Sequence, residues 1–138
     1  FSHPHPVRRK VGVRPLDDIA PNDTRLIKVD VEGFEAQVLR GAQRLLGQVR
    51  PVWLLEAHRD QVERTRTVAG LLTAHDYNLF WFFSPWQTKG LVDGVKGDTA
   101  VFATTESPSW PMTPITDTWP SDVSDFPYLS KYGLVGAR

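Results

Sequence analysis

The chain has 138 residues, 41% of them hydrophobic, with 16 basic and 16 acidic side chains and no cysteine. This is enough chain for one domain with a core, and the hydrophobic share argues against global disorder. Zero net charge gives no electrostatic footprint for nucleic acid or an anionic membrane, no cysteine means no disulfide, thiolate metal site or cysteine nucleophile, and no apolar run approaches the roughly 18 residues of a membrane span.

In chain order, residues 1–10 read as an exposed lead-in. His3 and His5 flank Pro4, but no third metal ligand lies near them in sequence, so a terminus fits better than a metal clip. The chain starts at Phe1 rather than Met, as a piece of a longer protein would, and no secretory signal is visible, so a cytoplasmic location is expected. Val11, Val13 and Leu16 suggest an extended segment. Leu16–Ile19 starts a brief turn or helix, stopped by Pro21-Asn22-Asp23. Arg25–Val31 is the first clear strand. Its Leu26, Ile27, Val29 and Val31 make it apolar on both faces, as inside a parallel sheet.

A helix is predicted over 34–46, with Phe34, Val38, Ala42, Leu45 and Leu46 on its inner face. Gly47 is the expected C-terminal cap. Gly41 sits inside this helix at a cost of about 1 kcal/mol relative to Ala, which a close helix–sheet contact would explain. Pro51–Ala57 is a second buried strand, ending in Glu56 and His58. Asp60 with Glu63 forms a capping-box pattern for a second helix reaching about Ala74. Its inward residues are Val62, Val68, Ala69, Leu71 and Leu72. Asp76-Tyr77-Asn78 makes a turn into an aromatic strand, Leu79–Phe83, and Thr99–Thr104 is a fourth strand. The order strand–helix–strand–helix–strand–strand predicts an α/β fold, with two crossover units and then a hairpin-like pair. Past Glu106, five prolines interleave with Trp110, Trp119, Phe126, Tyr128 and Tyr132 without any period. Residues 1–106 are therefore read as domain, and 107–138 as an irregular tail that docks aromatic side chains on the body.

The chemistry concentrates at the first strand–helix junction. Asp30 and Glu32 stand there, and Gly33 opens the turn. Carboxylates at the carboxyl end of a strand sit where α/β proteins bind ligands, and they cost free energy if buried without partners. Asp30 or Glu32 can orient a hydroxyl or a metal, or simply place charge at a helix N-terminus. Glu56 and His58 should lie at the same rim, His58 as a general base near neutral pH or as an exposed loop histidine. Phe80-Trp81-Phe82-Phe83 with Trp86 either walls an acceptor pocket or packs as core. Lys28 is unusual in an apolar strand and is read as a stem that snorkels to the surface.

Leu26–Ala42 reads Leu-Ile-Lys-Val-Asp-Val-Glu-Gly-Phe-Glu-Ala-Gln-Val-Leu-Arg-Gly-Ala. This resembles, without a gap, the hallmark of the FkbM-type S-adenosylmethionine-dependent methyltransferases. Val13–Ile19 is similar to an upstream element of that family, with Pro15 in place of the usual Thr. Arg50–Glu56 looks like its next strand. His75–Leu79 resembles its following turn, with Asp76 where Gly is usual, and Asp98–Ala103 resembles the closing strand. The likeness runs over roughly residues 11–105.

The resemblance implies the C-terminal half of a Rossmann-like class I methyltransferase sheet, mostly parallel with a closing antiparallel strand. The Gly-rich cofactor turn of such enzymes is not found in this sequence. It implies S-adenosylmethionine as cofactor, with Asp30 and Gly33 as cofactor-binding positions. Asp30, Glu32 and His58 become the catalytic candidates, and Glu56, Trp81 and Trp86 the substrate-binding ones. The implied reaction is methyl transfer to a hydroxyl oxygen of a sugar or other natural-product or glycan acceptor. Neither the use of a metal nor an oligomeric state follows from the residues, though a homo-oligomer is compatible with them. Two other readings stand beside this one. A half-domain could act only as a binding or pairing module, or Asp30, Glu32 and His58 could serve a metal-dependent hydrolase, though without a spaced ligand cluster.

Overall fold

The computed structural model describes residues 9–57, 61–87 and 96–116. Among the described residues one sheet holds five strands: β1 Leu26–Val29, β2 Val52–Glu56, β3 Asn78–Gln87, β4 Lys96–Thr104 and β5 Thr113–Pro114. Their spatial order is β1-β2-β4-β3-β5. β1 and β2 are parallel, with α1 (Glu35–Arg40) in the connection between them. α2 (Val62–Thr73) lies between β2 and β3 in the chain. β4 inserts antiparallel between β2 and β3, and β5 lies antiparallel on the outer side of β3.

The α/β class and the antiparallel insertion agree with expectation, but the sheet is mixed rather than mostly parallel. β1–β2 is its parallel pair, and every other neighbouring pair is antiparallel. The reason is topological: β4 follows β3 as its antiparallel partner, and it then borders β2 as well.

Strand alternation divides the side chains between two faces. Val29, Trp53, Leu55, Val101, Ala103, Trp81 and Phe83 point to one face, where Leu39, Ala42, Leu45 and Leu46 join Val68 and Leu72 of α2 in a single core. Lys28, Leu54, Glu56, Ala100, Phe102, Phe80 and Phe82 belong to the other. β1 is the outermost strand, so it is not buried on both faces: Leu26 is 61% exposed while Val29 is buried. Ile115 donates its N–H to Leu79 O at 3.0 Å and packs against the core, so the sheet continues beyond residue 106.

The predicted helix over 34–46 is broken. α1 ends at Arg40, and the chain resumes helical geometry in a π-helical turn, Leu45–Val49. The break sits where the upstream turn Leu16–Asp18 wedges against Gly41. Asp17 N–H donates to Gly41 O at 2.9 Å. The Asp17 carboxylate in turn accepts the N–H groups of Arg44 (2.8 Å) and Leu45 (3.0 Å). Asp17 therefore satisfies donors that a new helical start leaves open. A Cβ on Gly41 would stand 3.3 Å from Pro15 Cα, so its neighbour is this segment and not the sheet. Phe34, expected inside, is 63% exposed at the start of α1. The residue that closes the π-helical turn in left-handed conformation is Arg50, at φ 56°, rather than Gly47. Gln61 occupies the N-cap position of α2, and Asp60 lies outside the described residues. Among the described residues no helix is long and apolar enough to cross a membrane.

Candidate functional site

β1 and β2 are parallel, so their carboxyl ends share one rim. Asp30 follows the paired positions Val29 and Leu55 on one strand, and Glu56 follows them on the other. Beyond Asp30 the chain turns sharply: Glu32 has φ 48° and Gly33 φ 96°, and Phe34 N–H donates to Val31 O at 3.3 Å. This turn brings Glu32 back toward the sheet. One carboxylate oxygen from each of Asp30, Glu32 and Glu56 lies within 4.8 Å of the others. Asp30 and Glu32 are exposed and Glu56 is half-buried.

Like charges at that separation repel by about 1 to 3 kcal/mol per pair, from water-like to partly buried surroundings. Lys28 offsets part of this, with Nζ 3.0 Å from Asp30 Oδ2. Its stem does reach outward, as expected, but its ammonium is engaged at the site. A cluster of this kind suits a proton to be accepted, a hydroxyl to be oriented or a hard, oxygen-liganded cation to be held.

The cluster opens on a cleft of about 260 Å³ lined by Lys28, Asp30, Leu54, Glu56, Phe82 and Thr99, among others. The register explains the lining. Glu56 pairs with Ala100 and Ala100 with Phe82, so the small Ala100 leaves a depression between a carboxylate and an aromatic ring. Trp81 belongs to the opposite face and is only 2% exposed, so the structure does not bring it to this cleft. Trp86 lies in β3 with its side chain outside the described portion, and His58 lies outside the described residues altogether. The sequence put Phe82 in the aromatic run that could wall a pocket, but the substrate-binding choice fell on Trp81 and Trp86. The signal for Phe82 was the alternation of β3, which assigns a side only once the register with β4 is known.

Glu35 was also passed over. It is buried, 7% exposed, in the first turn of α1, and its Oε1 accepts the Gly33 N–H at 3.1 Å. A larger groove of about 470 Å³ lies elsewhere, between α2 and the β3–β5 edge, lined by Thr65, Ala69, Gly70, Leu79, Trp81 and Ile115, among others. Among the described residues no carboxylate lines it, whereas Asp30 and Glu56 line the smaller cleft.

The fold and the site define an α/β protein with converging carboxylates at the carboxyl ends of two parallel strands. The chain belongs to the FkbM methyltransferase family: the model of the methyltransferase FkbM domain matches residues 4–79, more than half its length. That span contains Asp30, Glu32, Gly33, Glu35 and Glu56. No curated protein and no solved structure gives a significant match. Membership makes methyl transfer the general activity to which this chain belongs.

Proposed function

We propose that this chain carries the acceptor side of an S-adenosylmethionine-dependent O-methyltransferase acting on a sugar or another hydroxyl-bearing natural product or glycan. The observation that carries this reading is the placement of Asp30 and Glu56 side by side above a cleft walled by Phe82. A ring with one apolar face and polar edges fits such a cleft: its apolar face meets Phe82 and Leu54, and its hydroxyls meet the carboxylates.

S-adenosylmethionine, when bound, supplies an electrophilic methyl group. The protein aligns the acceptor oxygen and receives its proton. Asp30, held by Lys28, is the group proposed to accept that proton, with Glu32 and Glu56 fixing the hydroxyl's direction. On the cofactor side the described residues we assign are Asp30 and Gly33. The rest of a cofactor pocket is assigned to chain preceding residue 1, which makes this sequence a fragment in our reading.

The test uses the intact protein with methyl-tritiated S-adenosylmethionine and a panel of methyl glycosides. Label should appear on the glycoside with wild-type protein and be lost with Asp30→Asn. No cofactor binding by the intact protein would sink the proposal. The alternative, a non-catalytic half-domain that pairs with a partner, draws on the end position of β1 among the described strands, and it predicts that same negative result.

A further inference from the structure

We propose that Glu35 and Arg64 are positioning residues that hold the Glu32–Gly33 turn and thereby keep the Glu32 carboxylate at the cluster, an inference that rests on the methyl-transfer reading of the cleft. The starting observation is backbone strain at Glu32. Its φ of 48° is left-handed, a conformation that costs an ordinary side chain free energy and persists only when surrounding structure enforces it. Two helices supply that enforcement. From α1, the buried Glu35 carboxylate takes the Gly33 N–H. From α2, the Arg64 guanidinium lies over Gly33, in the space where a Cβ would stand. The same Nη1 of Arg64 is itself held, donating to Gln61 Oε1 at 2.9 Å.

The turn is thus gripped from both sides, and each grip needs Gly33. Its φ of 96° disfavours any side chain, and a side chain would displace Arg64. Glu35, Glu56, Gln61 and Arg64 also line one small pocket, which ties the grip to the strand end that carries Glu56. If either grip is released, Glu32 can relax toward an unstrained backbone, and its carboxylate swings away from Asp30 and Glu56. A small displacement of a site group is enough to reduce turnover strongly.

The experiment compares Arg64→Ala, Glu35→Ala and Glu35→Gln with wild type by two readouts. Hydrogen exchange of the Gly33 amide needs no acceptor. In Arg64→Ala and Glu35→Ala it should quicken by roughly tenfold or more while β1 and β2 amides stay unchanged. Methyl transfer to a methyl glycoside should lose roughly tenfold to a hundredfold in kcat, with acceptor KM within about twofold. Glu35→Gln keeps an oxygen for the Gly33 N–H and should recover most of both.

Wild-type exchange in Arg64→Ala, or quickened exchange with wild-type turnover, overturns the inference. Arg64 is exposed, so its variant decides the matter even if Glu35→Ala fails to fold. The underlying reading is separable. If Asp30→Asn retains full turnover, that reading falls while Gly33 exchange still judges the grip. If Asp30→Asn abolishes turnover and Arg64→Ala changes nothing, the grip alone is wrong.

Discussion

At the residue scale, Asp30 and Tyr77 carry opposite kinds of consequence. Asp30 is exposed and its pair with Lys28 is a surface ion pair, worth about 0 to 1 kcal/mol. Asp30→Asn gives up that pair but also relieves the repulsion from Glu32 and Glu56, so the melting temperature should hold or rise. Turnover should fall by roughly two orders of magnitude or more, the scale of lost acid–base or electrostatic assistance. Steady-state kinetics beside a thermal melt separates the two, and a lower melting temperature with intact turnover would make Asp30 a structural anchor.

Tyr77 is buried, and its hydroxyl accepts the Trp53 indole N–H at 3.3 Å while Arg50 lies over its ring. Burial pushes the phenol above its usual value, against smaller downward pulls from the Trp53 hydrogen bond and the Arg50 charge. A raised folded-state value means that the unfolded phenol ionises first. The stability linked to this group is whole below about pH 10 and is lost as pH rises through the folded-state value. Tyr77→Phe should be about 1 kcal/mol less stable near neutrality. The gap to wild type should narrow at about pH 11, as measured by denaturant unfolding at both pH values.

At the element scale, the broken first helix is the informative feature. Of the inner face expected over 34–46, Ala42, Leu45 and Leu46 are buried, Val38 is half-buried and Phe34 is exposed, while Leu39, not expected there, is buried. The helix is not continuous, because Asp17 supplies to Arg44 and Leu45 the acceptors that an unbroken helix would supply from its own previous turn. Asp17→Ala should cost about 1 to 2 kcal/mol, the usual price of a lost helix cap. Asp17→Asn, with one remaining acceptor oxygen, should cost less; denaturant unfolding measures both. Gly41→Ala tests the same joint. In an open helix it would gain about 1 kcal/mol. Here the Pro15 backbone stands in the way, and unfolding should show a loss instead. Asp76 adds a smaller lesson. It stands where a Gly is usual in the resembling turn and does adopt a left-handed φ of 59°, which Asp tolerates better than most residues.

At the scale of the whole molecule, β1 is the end strand of the sheet among the described residues, and its Leu26 is exposed. Such an edge invites pairing with another chain. Residues 1–138 alone should bind S-adenosylmethionine weakly or not at all by calorimetry, because the described residues hold little that could grasp it. They should also self-associate on concentration. Leu26→Lys should reduce that association in sedimentation without lowering the melting temperature.

The sequence by itself determined the α/β class, the parallel pairing of the first two strands and the convergence of Asp30 with Glu56. Each follows from local pattern: apolar strand runs, a helical period between them, and carboxylates at strand ends. The tertiary structure alone decided which aromatic faces the cleft, why the first helix breaks and what holds the Glu32 turn. Phe82 rather than Trp81 lines the cleft because strand register, a long-range property, sets which parity points outward. The break and the turn depend on Asp17 and Arg64, which are distant in sequence from what they hold, and no local period records a contact of that kind.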